Sequence, residues 1–512
     1  MEKLSFKSCF IFNPNLKSLL KKPSDDEKQD AKLLIYYPSC EEILIKRSNM
    51  GIIEGTIQFQ HSFNTSKENK ESKKEKEKEK EKNNDEFLLA ELNSSYYFSQ
   101  KFEDEYFIAI SVEKATKNLN LNENVNYRVT LFKDILNNFY QYFYLFHGKF
   151  KDVFFPKGKD IRTDQAQYNY ISTIFSDFIT CYFDYIGKFN SNDIYQSPIL
   201  DGILYSTCNI YPNLLFSILK VNEKFRDIKY ISLIYKGFLI HNEIDIDTMS
   251  LLYNMIYNNI NGDNYLEKFR YPIFKEEVTK NEIKEENKDN KNLMMNLVQI
   301  LPLNCSPFLK GFIDNNKKEK KSFNLNNNYF IGCDLNSRKV FIPTIHFYNN
   351  NEKMKLMVYN IKDLSIFLFF DENFEFKDSV LFDQLAVFLD VCFNENLSEL
   401  KKINFEEKSK EIKKEFDFVY YNKQNKSLKL SNSFYAKNSN EIDKNKIPIL
   451  EKIKELIMSK RIKKSLTKFE GQYLYYFEQF QKNVGIILKE NKAIEEVKVK
   501  YFNKILKAIE FY

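Results

Sequence analysis

Four histidines, seven cysteines and the Gly148-Lys149 step are residues here whose types could do chemistry. Their spacing assigns them none. His61, His147, His241 and His346 stand apart, and no His-Glu-x-x-His array puts two imidazoles on one helix face to hold zinc. His241 closes an apolar strand, where a base or ligand needs partners that the neighbouring residues do not supply, so a structural role is the simpler reading. Cys9, Cys40, Cys181, Cys208, Cys305, Cys333 and Cys392 form no close pair, and most sit in apolar runs. That pattern suits small buried hydrophobes in a reducing compartment. Gly148-Lys149 lacks both the upstream glycine and the following Ser or Thr of a phosphate loop. No Gly-x-Ser-x-Gly elbow is present. The expectation is a protein with no metal or cofactor, built for interaction rather than for making bonds.

Charge narrows the partners. There are 77 basic and 71 acidic residues, a net +6 with the signs interleaved, and no RNA-recognition motif, so nucleic acid is not the expected ligand. One basic run stands out: Lys460, Arg461, Lys463, Lys464 and Lys468, with no acid between Met458 and Lys468. It suits anionic lipid headgroups, at about 1 kcal/mol per cation near a membrane. It also suits a solvated loop after a helix, where cations complement the C-terminal dipole. No charged-then-apolar leader opens the sequence. Asn292–Leu309 is uncharged, but Asn296, Gln299, Pro302, Asn304 and Pro307 make it a poor membrane span. The expected location is the cytoplasm, peripheral to a membrane.

The elements that would position an interaction surface form a repeat. A strand–connection–strand pattern opens three segments. The first is Ser8–Asn13, a polar loop, then Lys32–Tyr37. The second is Tyr230–Ile240, folded at Lys236-Gly237, where glycine accepts the positive φ of a tight turn. The third is Phe416–Tyr421 followed by Leu428–Phe434. A length of 512 residues, 43% of them hydrophobic, fits about three domains with a core each.

In the first segment, Gly51–Phe63 is ambiguous between helix and strand. Lys67–Lys82 alternates charges and reads as a solvated loop. Phe87–Ser94 and Tyr106–Val112 read as strands, and Val129–Phe150 and Gln165–Ile186 as helices. In the second, Asp245 or Asp247 is placed to cap a helix carrying Met249, Leu252, Tyr253, Ile256 and Tyr257. Lys355–Tyr359 and Ser365–Asp371 form a strand pair, and Leu381–Cys392 a closing helix. In the third, Ile449, Ile453, Leu456 and Ile457 mark a helix, Gln472–Phe480 and Gly485–Lys489 strands, and Ile494–Ala508 a terminal helix. The fold class is therefore α/β (α+β), an antiparallel sheet with packed helices in each module. The expected domains are 1–190 with a charged, disordered loop at 65–86; 210–400 with insertions at 275–291 and 313–328; a charged linker 401–415; and 416–512.

The ordered motifs CFIFNPNL, AKLLIYYP, GIIEGTIQF with HSF beyond, YNYISTIFSDFI, IKYISLIYKGFLIHNEIDIDTMSLLYNMI, KLMVYNIKDLSIFLFFD and EEVKVKYFNKILKAIEFY resemble the calcium-caffeine-zinc sensitivity (Ccz) subunit family of the Mon–Ccz complex. The resemblance implies three longin domains and no bond-making catalysis. It implies a Mon-like tri-longin partner and a late-endosomal and vacuolar Rab GTPase, Rab seven, whose GDP release the pair would accelerate. Location would be on late endosome, vacuole and lysosome membranes, with anionic lipid as a further contact. Carried over by residue, the segment matching GIIEGTIQF offers Gly51, Ile52, Ile53, Glu54, Ile57 and Phe59 as the partner or Rab surface, against core packing for its apolar members. Other tri-longin families, of the Hermansky–Pudlak or ciliary Inturned and Fuzzy type, remain open alternatives. The charged insertions and the lack of Trp depart from the family pattern.

Overall fold

The computed structural model describes residues 5–68, 87–103, 105–113, 125–188, 212–235, 238–253, 305–310, 329–334, 340–349, 352–374 and 379–402, and the elements between 417 and 488. Contacts group the chain into two units, the first built mainly from residues 1–191 and the second mainly from 192–267 and 339–512.

The first unit holds an antiparallel sheet of five strands in the order β2-β1-β5-β4-β3. These are β1 (Ser5–Phe12), β2 (Leu33–Tyr37), β3 (Phe87–Glu91), β4 (Ser95–Phe102) and β5 (Tyr106–Glu113). The period of two sends Phe10, Phe12, Tyr36, Phe107 and Ala109 to one face, where Met50 and Ile53 of α2 (Ile43–Glu68) close the core. The ambiguous Gly51–Phe63 run is thus helical, because Met50, Ile53 and Ile57 recur at the spacing that meets the sheet. The opposite face meets α3 (Val125–His147), with Phe98 stacked on Phe132 at 4.2 Å between ring centres. The short α4 (Phe150–Phe154) follows, and then α5 (Gln165–Lys188), whose Phe183 stacks on Phe6 at 4.4 Å.

Two elements were not read from the sequence. The expected polar loop before Lys32 contains α1 (Asp25–Asp30), opened by a capping box in which Ser24 and Glu27 satisfy each other's backbone N–H groups. The strand β4 was also missed. Because α2 extends to Glu68, residues 65–68 of the expected charged loop are helical. The rest of that loop lies outside the described residues.

The second unit carries two sheets. The larger has eight strands on the path β10-β9-β12-β13-β6-β7, with β11 beside β12 and β8 beside β9. They are β6 (Ile228–Tyr235), β7 (Phe238–Asn242), β8 (Cys305–Lys310), β9 (Tyr329–Asp334), β10 (Val340–Phe341), β11 (Thr344–His346), β12 (Lys353–Ile361) and β13 (Leu364–Asp371). β13 sits in the middle, with Ile366, Phe367, Leu368 and Phe369 fully buried, so both its faces are covered. One cover is a layer of two helices, α6 (Pro212–Lys224) and α8 (Ser379–Lys402), whose Leu214, Ile218, Val221, Leu385, Leu389 and Phe393 join Ile366 and Leu368 in one core. Between β7 and β8 lies α7 (Ile246–Leu252), capped by Asp245, which accepts from the Thr248 N–H.

The other sheet orders β14 (Asp417–Asn422), β15 (Leu428–Leu430), β16 (Lys464–Phe469), β17 (Gln472–Gln479) and β18 (Lys482–Leu488) as β15-β14-β18-β17-β16. That is the β2-β1-β5-β4-β3 order of the first unit, and β7-β6-β13-β12 follows the same rule. All three repeats therefore share one topology: the opening hairpin at an edge and the last strand inserted beside the first. α9 (Ile447–Met458) covers one face with Ile449, Leu450, Ile453, Leu456 and Ile457.

Relative to expectation, β15 stops at Leu430 rather than Phe434, and β18 starts at Lys482 rather than Gly485. The expected terminal helix, the insertions 275–291 and 313–328, and the linker beyond Lys402 lie outside the described residues. No described helix is long and apolar enough to cross a membrane.

Gly485 lies opposite Val419 and Tyr476, under α9. A Cβ added there would stand 2.9 Å from Ile453 Cδ1, so the helix sits where only glycine leaves room. Gly485→Ala is expected to lower stability by about 1–2 kcal/mol through overpacking. Ile453→Val in the same chain is expected to recover part of that loss. Denaturant titration of the two single variants and the double variant measures this, and additive losses would contradict it.

A second constraint ties the first unit's loops. Arg162, in the 3-10 turn Ile161–Thr163, donates through its guanidinium to Asp160 and to the carbonyls of Ala31 and Lys17. Burial acts to raise the Asp160 carboxyl, but the Arg162 hydrogen bonds and charge outweigh it and hold the carboxyl below its usual range. A depressed folded pKa contributes stability above the ordinary carboxylate pKa that is lost as pH falls through the folded value. Asp160→Asn should therefore cost about 1 kcal/mol at neutral pH. Thermal melts should show that difference vanishing as pH falls below the carboxylate range; a difference that persists in acid would contradict it.

Candidate functional site

Several of the described groups that could do chemistry are taken up by the fold, while Cys40 is exposed. Burial pushes the Cys9 thiol far up, and burial also raises Cys392. His346 is held down to about 4 by burial and by Lys353, so it is neutral. His241 pairs with Glu243 at 3.0 Å. Glu103 accepts from the N–H groups of Phe150 and Lys151 and from the Tyr140 hydroxyl, which makes it the cap of α4. No group of three or more metal-ligating side chains occurs among the described residues.

What the fold offers instead is helix surface. The six residues expected to form the interface all lie on α2, and the helix divides them. Ile53 is fully buried, and Ile57 packs against the same core. Both belong to the sheet-facing stripe, which corrects their place on the expected surface. Gly51 faces α1, where an added Cβ would lie 3.6 Å from Gln29 Nε2. Glu54 holds Lys32 at 2.9 Å. Ile52 is half-buried, and Phe59 is 65% exposed.

Leu44, Ser48 and Gly55, outside the expected set, complete the outer line. Leu44 is 68% exposed, and Gly55 has open space above it. Leu44, Ser48, Ile52, Gly55 and Phe59 follow one another at intervals of four, four, three and four, so they share one stripe. The signal was present as that periodicity. A window beginning at Gly51 cut off its first turn.

The second unit has a comparable face. α6 and α8 run antiparallel: Asn213 bonds Glu399, the Ser217 hydroxyl donates to the Cys392 carbonyl at 2.8 Å, Asn396 donates to Ser217 at 2.7 Å, and Phe225 meets Phe388. Their inner sides bury the core described above. Their outer sides expose Leu215, Phe216, Leu219, Val387 and Val391, all between 42% and 67% accessible. Lys220 lies over the Phe216 ring and Lys224 over the Phe388 ring, at 4.4 and 4.1 Å. This surface was not anticipated, although the expected second domain, 210–400, contains both helices.

The basic run is partly reassigned. Lys464 and Lys468 lie in β16, not in a loop, and are exposed together with Leu466 on an edge strand. Lysine on an edge strand opposes pairing with a foreign sheet. Lys463 is exposed just before the strand. Lys460 and Arg461 lie outside the described residues.

Residues 7–148 match the family described as the first longin domain of INTU, CCZ1 and HPS4, a span that runs from β1 through α3. The chain is also 23% identical over 268 residues to a vacuolar fusion protein CCZ1 homolog of Danio rerio, covering 50% of this chain and 48% of that protein. The chain thus spans about half the length of the curated relative it matches. The match identifies a longin domain over residues 7–148, and the later repeats share its strand order.

Proposed function

We propose that this protein is a tri-longin subunit of a vacuolar-fusion complex, pairing with a Mon-like subunit to form a guanine-nucleotide exchange factor for a late-endosomal and vacuolar Rab GTPase of the Rab seven type. Its setting is the late endosome, vacuole and lysosome membrane, in endosome maturation and in vacuole and autophagosome fusion. The observation that carries the reading is the exposed apolar stripe of α2 on a domain of the matched longin family.

Exchange of this kind needs no group transfer. A composite surface that binds the nucleotide-free GTPase better than the GDP-bound form shifts the population toward release. The α2 stripe supplies this chain's share of that surface. Its small residues Ser48 and Gly55 let another backbone approach between Leu44, Ile52 and Phe59. The outer face of α6 and α8 supplies apolar area suited to holding a partner subunit.

Leu44→Asp and Phe59→Asp are expected to leave the melting temperature within about 2 °C of wild type. They should weaken partner association or Rab nucleotide release about tenfold. Phe216→Asp with Val391→Asp should weaken partner association without loss of fold. Ile53→Asp, by contrast, buries an unpaired carboxylate and should unfold the domain. Folded α2 variants with wild-type association and exchange would overturn the assignment of the α2 stripe.

A further inference from the structure

Among the described residues, Glu103, Lys362 and Lys426 have positive φ without being glycine, at 55°, 54° and 51°. Each lies in the connection of an antiparallel hairpin, where glycine or asparagine adopts this backbone more cheaply. At Glu103 the side chain accounts for the choice: its carboxylate caps α4 across the fold. Lys426, between β14 and β15, makes a tie of the same kind. Its Nζ lies 2.6 Å from Asp247 Oδ1, in the first turn of α7 beside the larger sheet.

The acceptor side is built rather than incidental. Asp247 Oδ2 takes the Asn349 side-chain N–H at 3.2 Å, and the same amide reaches Asp245 Oδ1 at 3.3 Å. The Tyr348 N–H donates to the Thr248 hydroxyl at 3.0 Å. The turn after β11 and the start of α7 are thereby locked before the lysine arrives. Asp245 keeps Oδ2 buried without a hydrogen bond, so the carboxylates crowd one point that a cation relieves. The Lys426 and Asp247 side chains are only 19% and 35% exposed, so solvent screens the pair incompletely.

We propose that Lys426 is the pin of an electrostatic latch joining the β14–β18 sheet to the β6–β13 sheet, so that the two modules of the second unit move as one body. The state of Asp247 agrees. Burial alone would raise its carboxyl, yet the Lys426 hydrogen bond and charge, with the Asn349 bond, hold it below the usual range. The latch is independent of the exchange reading and holds whichever partner the chain binds.

A carbodiimide tests it on the full chain, because it joins a carboxylate and an amine only where they touch. At low salt, peptide mass spectrometry is expected to find an Asp247–Lys426 amide, with the Lys32–Glu54 pair of the first unit as the internal standard. In about 1 M sodium chloride, where the screening length falls to about 3 Å, the yields of both ion-pair links should fall together. Lys426→Asp should abolish the link, and Asp247→Lys in the same chain should restore it with the roles reversed. Lys426→Gly keeps the hairpin backbone favourable and removes only the pin. It should therefore leave the thermal stability of the sheet intact while small-angle scattering shows a larger radius of gyration. A Lys32–Glu54 link without an Asp247–Lys426 link, or an unchanged radius in Lys426→Gly, would overturn the latch.

Discussion

A strand buried on both faces needs a cover on each side, and that requirement organises this protein. In every repeat the last strand inserts beside the first: β5 against β1, β13 against β6, β18 against β14. Over Tyr106–Val112 and Leu364–Phe370, the inserted strands β5 and β13 are apolar apart from Ser111 and Ser365 and are buried along almost their whole length. Among the described residues, helices cover both faces of the first sheet and one face of each of the other two, and turn their own outer faces outward. Both candidate faces, on α2 and on α6 with α8, are the backs of covering helices.

The same requirement accounts for what several described ionisable residues do. Closing loops over two faces of a sheet leaves many backbone groups to satisfy, and charged side chains near the loops are used for that. Glu103 caps α4, Asp160 and Arg162 fasten the connection before α5, and Asp245 caps α7.

Much of this was legible in the residues. The opening hairpins were readable because period-two apolar runs are bounded by turn residues, and α3, α5, α8 and α9 because their stripes are long. The misses have physical causes. β4 carries Ser99 and Gln100, polar residues that argue for solvent, yet both are buried in the sheet. α1 has no buried residue, so periodicity is silent and only the Ser24–Glu27 box marks it. On α2, β-branched residues that suit a strand as well as a helix obscured the period. The core positions Ile53 and Ile57 were therefore grouped with the outward residues Ile52 and Phe59. Once the helix is known, the outer line from Leu44 to Phe59 follows from 3.6 residues per turn.

The central claim is that this chain contributes to exchange by supplying surface to a composite platform. The most direct measurement is release of fluorescent GDP from a late-endosomal Rab, with this chain alone, with a Mon-like longin subunit alone, and with both. The account predicts that neither subunit alone accelerates release appreciably and that the pair does. Full acceleration by this chain alone, or none by the assembled pair, would contradict it.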